Sequence, residues 1–259
     1  MSILITGSHS DVARALMIKL VEDGEEVILT CSSKESLKST SEYLVENSLE
    51  GKVSLVEYNL TKSADTIQNI TELIKDKKVH ALVLNAWIKV EKLKLFEDID
   101  EVELDEELNG NLKGNMKLLT TLLPHMKENK MGRILFISSI GAISGASKYG
   151  LYCMGKAAME GLMLNLAVDY GKYNITANTL RPGITKTERT RRFWEREYYQ
   201  KRMSAGIPLG KLGEPEQVAK ACLPFLDRES YITGAALNVS GGLPLMDTAS
   251  AIKKGKEES

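Results

Sequence analysis

Short apolar runs alternate with longer amphipathic segments through almost the whole of this 259-residue chain. Seven of the runs are apolar on both faces, as parallel strands between two helical layers are; they lie at 3–5, 27–29, 53–56, 81–84, 134–137, 175–180 and 236–239. Segments with helical periodicity separate them, at about 11–23, 34–47, 62–76, 101–128, 150–171 and 215–227. The alternation predicts an α/β fold: a single-domain, doubly wound (Rossmann) parallel sheet of about seven strands with helices on both faces.

The domain is predicted to span residues 1–246, because neither a linker nor an internal repeat divides the chain. Residues 184–207 interrupt the alternation with a charged and aromatic stretch, which we interpret as a helical lid over a binding site. Residues 247–259 are small and charged, and we expect them to form a disordered tail.

The composition argues against several classes of function. With 34 basic and 35 acidic residues, the net charge of -1 does not favour binding to nucleic acid or to an anionic membrane. No apolar run approaches the length of a membrane span, and no signal peptide is recognisable. The three cysteines and three histidines are widely spaced, so we predict no disulfide framework and no metal site. We therefore expect a cytoplasmic protein.

Tyr152 and Lys156 are the first candidates for catalysis. They lie four residues apart in the helical segment 150–171, so their side chains share one helix face. An ammonium at about 4 Å from a phenolate, at an effective dielectric of about 20, attracts it by about 4 kcal/mol. This corresponds to about three pKa units, so we expect Lys156 to lower the pKa of Tyr152 toward neutrality.

A turn that could bind phosphate follows the first predicted strand. It reads Thr6-Gly7-Ser8-His9-Ser10-Asp11-Val12-Ala13 and leads into a helix. Glycine permits a tight turn, and the first N–H groups of the helix are free to bind phosphate. Ligands of open α/β sheets bind at this end of the strands. An ordinary turn is the alternative interpretation.

Taken together, these segments resemble the short-chain dehydrogenase/reductase family over nearly the whole chain, and within it the 3-oxoacyl-acyl-carrier-protein reductases. The resemblance rests on Thr6-Gly7, Asn85-Ala86, Asn111-Leu112-Lys113-Gly114, Ser139 with Tyr152 and Lys156, the segment from Pro182 to Thr187, and several short segments after residue 206. It implies four catalytic residues: Asn111, Ser139, Tyr152 and Lys156. It also implies that a nicotinamide cofactor is bound by Tyr152 and Lys156 together with Gly7, Ser8, Ser10, Asp11, Val12, Ser32, Ser33, Asn59, Leu60, Asn85, Ala86, Pro182, Gly183, Ile184 and Thr187.

The implied chemistry is hydride transfer between nicotinamide and a carbonyl/alcohol pair, with Tyr152 exchanging the proton. Lys156 would hold the nicotinamide ribose and lower the pKa of the phenol. Ser139 would donate to the substrate oxygen, and Asn111 would anchor a water that replaces the proton. Ser139, thirteen residues before Tyr152, matches the family better than Ser138, which we expect to face the sheet.

Three residues depart from the family pattern. Asp11 and Ala13 replace two glycines of the family's first turn. The extra methyl of Ala13 should be tolerated, whereas Asp11 should repel a bound pyrophosphate or reshape the turn. Trp87 replaces a glycine, and we expect its indole to roof the site, to point into the substrate cleft or to pack beneath the lid.

The end of the second strand should select the nucleotide. Cys31 occupies the position at which NAD-selecting relatives carry an acidic residue. Ser32, Ser33 and Lys34 could bind a 2′-phosphate, although no arginine clamps it. We favour NADP(H) and keep NAD(H) open. Asn59 matches the family position that faces the adenine.

The sequence thus predicts an NADPH-dependent reductase of a small-molecule or carrier-bound carbonyl substrate, with a 3-oxoacyl thioester as the best guess. Arg133 could contact an acidic carrier or could simply begin a strand. One alternative is a dehydrogenase of a secondary alcohol on a sugar or a biosynthetic metabolite; another is a catalytically weakened binding or scaffold subunit. The family resemblance and the apolar helix faces at 112–126 and 151–168 favour a homotetramer or homodimer.

Overall fold

A computed structural model describes residues 1–245 and contains one parallel sheet of seven strands in the order β3-β2-β1-β4-β5-β6-β7. The strands are β1 (Ser2–Thr6), β2 (Glu26–Cys31), β3 (Val53–Glu57), β4 (Val79–Leu84), β5 (Gly132–Ile137), β6 (Ile175–Pro182) and β7 (Ala236–Val239). All six pairings are parallel. The predicted fold class is confirmed. The predicted tail at 247–259 lies outside the described residues.

The helices follow the predicted segments closely. They are α1 (Asp11–Glu22), α2 (Lys34–Glu46), α3 (Ser63–Asp76), α4 (Glu101–Asp105), α5 (Lys113–Glu128), α6 (Gly141–Ser144), α7 (Gly150–Tyr170), α8 (Glu197–Ser204) and α9 (Pro215–Leu226). The segment 101–128, predicted as one helix, contains a π-helical stretch, Glu106–Leu112, between α4 and α5. Short 3₁₀ helices lie at Phe96–Asp98, Gly171–Tyr173 and Glu188–Phe193.

Each face of the sheet has its own hydrophobic core, because successive strand side chains point to opposite faces. In β1, Ile3 and Ile5 pack into one core together with α1 and α9. Leu4 packs into the other core with α3, α5 and α7. This two-sided burial explains why the predicted strands read as uninterrupted apolar runs.

Strand order reverses beside β1, whose neighbours β2 and β4 lead the chain away in opposite directions. A crevice therefore opens at the carboxyl ends of these strands, where open α/β sheets bind their ligands. The segment 184–207 follows β6 at this same edge and contains the 3₁₀ helix Glu188–Phe193 and the helix α8.

Arg133 lies at the opposite end of the sheet and is only 1% exposed. Its guanidinium donates to the carbonyls of Gly132 at 2.8 Å, Asn174 at 2.9 Å and Asp227 at 2.9 Å, and also to that of Arg228. Of the two alternatives for Arg133, its burial therefore favours a residue that begins a strand over a contact with an acidic carrier. The side chain ties the start of β5 to the ends of two neighbouring segments.

Within residues 1–245, no helix is both long enough and apolar enough to cross a bilayer. The same residues contain no cluster of three or more His, Cys, Asp or Glu side chains arranged to hold a metal ion. Cys31, Cys153 and Cys222 are free thiols.

Candidate active site

Two cavities meet at Tyr152. The larger, with a volume of about 500 Å³, runs along the carboxyl ends of β1, β2, β4, β5 and β6, and we call it the long cleft. The smaller, of about 110 Å³, lies between residues 88–99, the segment 103–111 and the start of α7, and we call it the outer cavity. Tyr152 lines both, so one phenol faces two separate binding spaces.

The first turn closes one end of the long cleft. Gly7 has a φ of +86°, and a Cβ there would lie 3.2 Å from the Cα of Ala86 and 3.3 Å from the Nδ2 of Asn85. Only glycine suits this left-handed conformation and close approach. Ser10 caps α1 by accepting from the N–H of Ala13 at 3.4 Å, and its hydroxyl also donates to Asn85 at 3.3 Å. The N-terminus of α1 consequently faces the cleft.

Two residues of this turn have unexpected partners. The hydroxyl of Ser8 is buried, where it accepts from Thr40 Oγ1 at 2.9 Å and from the thiol of Cys31 at 3.3 Å. Asp11 Oδ2 accepts from the backbone N–H of Glu188 at 2.8 Å. Asp11 thus joins the first turn to the lid segment, whereas a carboxylate directed at a pyrophosphate was expected from the sequence.

The end of β2 presents hydroxyl groups to the cleft. Cys31 is fully buried, so the position predicted to select the nucleotide is turned away, and Ser32 and Ser36 line the cleft instead. Ser33 is not among the described lining residues, because its hydroxyl caps α2 by accepting from the N–H of Ser36 at 3.2 Å.

His9 is a lining residue that the sequence did not single out. Its ring nitrogens lie 3.1 Å from Ser36 Oγ and 3.0 Å from Ser39 Oγ. Partial burial and the nearby charge of Arg14 lower the pKa of His9. Its place in the turn directly before Ser10 is the signal that could have identified it.

Asn59 and Leu60 line the cleft beside β3. The Nδ2 of Asn59 donates to the carbonyl of Ser32 at 2.8 Å, and its Oδ1 accepts from the backbone of Thr61 at 2.9 Å. Asn59 therefore holds together the loops after β2 and β3.

Val12 lines the cleft at the start of α1, and Pro182, Gly183 and Thr187 line its far end, after β6. A Cβ on Gly183 would lie 2.8 Å from the Cα of Ser240, so glycine alone fits there. Ile184 is not among the described lining residues.

Lys156 is buried beneath Tyr152. It is 3% exposed, its Nζ donates to the carbonyl of Ile137 at 2.8 Å, and the same atom lies 3.9 Å from the centre of the Trp87 ring. Burial, reinforced by the charge of Arg189, holds the pKa of Lys156 well below its usual range, against the attraction of Glu107 and Glu160.

Burial also raises the pKa of Tyr152, while a hydrogen bond with Ser139 and the charge of Arg189 oppose the rise. The expectation that Lys156 lowers this pKa is wrong for the arrangement described. The physical reason is the direction of the amine: it faces the Ile137 carbonyl and an indole, and desolvation of the phenol dominates.

The two serines after β5 have different surroundings. Ser138 is buried and its hydroxyl donates to Glu160 at 2.5 Å. Glu160 in turn accepts from the guanidinium of Arg181 at 2.6 and 2.9 Å. Ser139 is half-buried and accepts from the N–H of Gly141 at 3.1 Å. Ser138, which was expected to face the sheet, is the serine among the described lining residues of the long cleft, whereas Ser139 is the serine whose hydroxyl opposes the rise in the pKa of Tyr152.

Asn111 lies in the π-helical segment, is 2% exposed and lines the outer cavity. Its Oδ1 accepts from the N–H of Ile88 at 2.7 Å, and its Nδ2 donates to Glu107 at 2.7 Å. Sequence reasoning missed Glu107, although a glutamate four residues before Asn111 lies on the same helix face.

Trp87 packs into the core beneath the site. It is 5% exposed, and its ring centre lies 5.8 Å from that of Phe136. The indole therefore neither roofs the site nor points into the outer cavity. The guanidinium of Arg189, in the segment 184–207, donates to the carbonyl of Trp87. Arg189 also lines the long cleft, although the sequence did not single it out.

The long cleft has the parts that a dinucleotide requires. A left-handed glycine and the free N-terminus of α1 suit a pyrophosphate. The hydroxyls of Ser32 and Ser36 suit a ribose or its phosphate. Tyr152 and Lys156 line the same cleft, whose far end is lined by Pro182 and Gly183.

Comparison with known proteins agrees with this geometry. The sequence profile of the family described as enoyl-(acyl carrier protein) reductase matches residues 7–244. The 3-oxoacyl-[acyl-carrier-protein] reductase FabG of Rickettsia felis is 33% identical over 93% of this chain and 95% of its own. That of Thermotoga maritima is 32% identical over 93% and 96%, respectively.

Solved structures show the same fold. A 3-ketoacyl-(acyl-carrier-protein) reductase from Brucella melitensis complexed with NADH is 25% identical with a TM-score of 0.84, and covers 94% of this chain and 98% of that one. ElxO with NADP bound is 26% identical with a TM-score of 0.84, and covers 93% and 97%. The chain belongs to the short-chain dehydrogenase/reductase family, whose members are nicotinamide-dependent oxidoreductases.

Proposed function

We propose that this chain reduces a 3-oxoacyl thioester to the 3-hydroxyacyl thioester with NADPH. The observation that carries the proposal is the position of Tyr152, which faces both the long cleft and the outer cavity. The long cleft suits the nucleotide, so the outer cavity is left for the substrate. The curated relatives named as 3-oxoacyl-[acyl-carrier-protein] reductases support the choice of substrate.

In this proposal Tyr152 donates its proton to the carbonyl oxygen, while Ser139 donates a hydrogen bond to the same oxygen. The raised pKa of Tyr152 keeps the phenol protonated at neutral pH, which is the form that reduction requires. Lys156 holds the nicotinamide ribose, and Asn111 orders the water that replaces the proton. The bound nicotinamide supplies the hydride.

The proposed preference for NADPH rests on the end of β2. Ser32, Ser36 and His9 line the cleft there, and the acidic residues described in its lining, Asp11 and Glu188, belong to other segments. Hydroxyl and imidazole groups can donate to a 2′-phosphate, whereas a carboxylate at this position selects the unphosphorylated ribose. A cytoplasmic location remains a prediction from the sequence.

Replacing Ser32 with Asp should weaken NADPH binding at least about tenfold and change the preference to NADH, because a carboxylate repels the 2′-phosphate and accepts from free ribose hydroxyls. Titration of intrinsic tryptophan fluorescence with each nucleotide measures both dissociation constants. Ser33→Asp is the matched control: that side chain caps α2, where Asp also serves, and should leave the preference unchanged. If Ser32→Asp still preferred NADPH, the assignment of Ser32 to the 2′-phosphate of the nucleotide would be wrong.

Removing the charge of Asp11 should tighten nucleotide binding about two- to fivefold, which is the effect of one charge near a helix terminus. Two variants distinguish the effect of the Asp11 charge from the effect of its hydrogen bond with Glu188. Asp11→Asn keeps an oxygen that can accept from the N–H of Glu188, whereas Asp11→Gly removes both charge and contact. Calorimetric titration with NADPH gives the dissociation constants. Unchanged or weaker binding in both variants would show that the charge does not repel the pyrophosphate.

A panel of carbonyl and alcohol substrates, each assayed with both nucleotides, tests the proposed reaction. We expect 3-oxoacyl thioesters to give the highest kcat/KM with NADPH. A clear preference for a sugar alcohol or another secondary alcohol would replace this substrate assignment. No turnover together with no nucleotide binding would favour the binding or scaffold subunit.

We further propose that the chain assembles as a homotetramer or homodimer. Leu164 and Val168 of α7 are exposed apolar residues, with 56% and 81% of their surfaces accessible, and Leu237 of the edge strand β7 is exposed as well. Exposed apolar faces and open sheet edges are surfaces that association covers. Light scattering during size-exclusion chromatography distinguishes these assemblies from a monomer.

A further inference from the structure

Glu107 is a buried carboxylate that the roles proposed above do not use. It lies in the π-helical segment Glu106–Leu112 and is 5% exposed. Its Oε2 accepts from Asn111 Nδ2 at 2.7 Å, whereas its Oε1 has no hydrogen-bond partner within residues 1–245. Leaving a buried carboxylate oxygen unpaired is costly, so this atom calls for an explanation.

The carboxyl group packs directly against the catalytic helix α7. A Cβ at Gly155 would overlap Glu107 Oε1 and would lie 2.9 Å from Trp87 Cζ2, so a glycine is required at the residue before Lys156. The indole N–H of Trp87 is likewise buried and unpaired in the described part of the chain.

Glu107 also lines the outer cavity, together with Asn111 and Tyr152. Lys89, Lys92 and Lys148 line the same cavity and are exposed, so it leads from the site to solvent. Its volume of about 110 Å³ compares with about 10–15 Å³ for one water in the same measure. When substrate or product is absent from the outer cavity, several water molecules can therefore connect the Glu107 carboxyl to solvent.

The charges around Glu107 favour proton exchange. Burial raises the pKa of Glu107, while the hydrogen bond from Asn111, the charge of Lys156 and the nearby indole N–H of Trp87 oppose the rise. Glu107 thus releases its proton closer to neutral pH than an exposed glutamate does, as a proton-transfer group should. Tyr152 lies on the same helix as Lys156. The other charged or titratable groups that line the outer cavity are Lys89, Glu91, Lys92, Lys94, Glu103, Glu106, Lys148 and Tyr149.

We propose that Glu107 is a proton-transfer residue, which passes protons between water in the outer cavity and the site formed by Asn111, Lys156 and Tyr152. This role rests on the proposed reduction. In carbonyl reduction a bound nicotinamide would supply the hydride and would itself be oxidised. The carbonyl carbon gains a C–H bond and its C=O double bond becomes single, while the Tyr152 O–H bond breaks and the O–H bond of the alcohol forms. The Glu107 O–H bond then breaks as Tyr152 regains its proton, and solvent returns one proton to Glu107. Alcohol oxidation reverses these transfers.

The first test uses the protein without nucleotide or substrate. The chain has two tryptophans, so Trp194→Phe leaves Trp87 as the only indole, beside Glu107. Its fluorescence should change with pH as Glu107 titrates, and this change should disappear in Trp194→Phe/Glu107→Gln. The same pH titration in both proteins would overturn the proposal.

The second test measures carbonyl reduction. Glu107→Gln keeps the shape and the hydrogen bond to Asn111 but cannot carry a proton, so kcat should fall at least about tenfold. Added imidazole, a small proton donor, should restore the rate in proportion to its concentration and should not accelerate the parent protein. Glu101→Gln, an exposed glutamate of α4 that is not among the described lining residues of either cavity, is the matched control and should keep the parental rate.

Parental kcat in Glu107→Gln, or a loss that imidazole does not restore, would overturn the proton-transfer role. Equal urea unfolding of the two glutamine variants checks that both are folded. A parent protein that reduces no carbonyl substrate would instead overturn the proposed function and this role with it. The fluorescence titration of Glu107 would still be measurable, so the two failures are distinguishable.

Discussion

Replacing Tyr152 with Phe is expected to lower kcat for carbonyl reduction by about 10²–10⁴, the usual contribution of a positioned proton donor. The substitution removes the only atom that can protonate the substrate in this account and keeps the ring that separates the long cleft from the outer cavity. Nucleotide binding should therefore stay within a few-fold of the parent. Consumption of NADPH, followed by its absorbance, measures the rate.

Tyr170→Phe is the matched control for this experiment. Tyr170 ends the same helix, α7, and packs at the edge of the core instead of lining either cavity. The control should reduce substrate at the parental rate. If Tyr152→Phe also kept that rate, or if both variants lost activity equally, Tyr152 would not be the proton donor.

Replacing Arg133 with Met should destabilise the fold by at least about 3 kcal/mol, because several carbonyl groups lose a charged donor in a buried position. The partners belong to Gly132, Asn174, Asp227 and Arg228, so the loss loosens the start of β5 and the segment after α9 together. Methionine keeps most of the aliphatic stem. Urea unfolding followed by circular dichroism gives the free energy of unfolding.

Arg228→Met is the matched control, because it removes another guanidinium and keeps the backbone carbonyl that accepts from Arg133. Arg228 is 41% exposed in its side chain and pairs with Glu25 at 2.6 Å at the surface. Such a pair contributes at most about 1 kcal/mol. Equal losses of stability in the two variants would show that the buried contacts of Arg133 have no special importance.

The fold was predictable because its signals are local. A parallel strand covered on both faces is apolar at most positions, and β4 and β5 are buried along their full length. The helices α1 and α2 begin at the predicted residues 11 and 34, and the structure shows that Ser10 and Ser33 cap them there. The short helix α6, the 3₁₀ helix Phe96–Asp98 and the π-helical segment Glu106–Leu112 were not predicted. The π-helical segment was missed because one widened turn hardly alters the periodicity of a 28-residue stretch.

The residues that form the site could be predicted better than the contacts that they make. The i, i+4 spacing placed Tyr152 and Lys156 on one helix face, but it could not say that the Lys156 amine bonds to the Ile137 carbonyl of β5. The contact between Asp11 and Glu188 joins residues 177 positions apart. Contacts of this kind depend on packing between distant segments, about which spacing carries no information.

The same limitation explains the residues that were missed. In the sequence, Glu107 looks like any solvent-exposed glutamate of a helix. Only the structure shows that its carboxyl group packs against Gly155, where a side chain would leave no room for it. From the sequence, Trp87 could cover the site from above. Its contacts with Phe136 and Lys156 show that it packs beneath the site.

Transfer of deuterium from C4 of labelled NADPH to a 3-oxoacyl thioester tests the central claim most directly. If hydride passes to a carbonyl that Tyr152 protonates, mass spectrometry will find one deuterium on the new carbinol carbon of the 3-hydroxyacyl product. Tyr152→Phe should form this labelled product at least about 10²-fold more slowly. Nucleotide consumed without label in the product, or labelled product formed equally fast by Tyr152→Phe, would contradict the account.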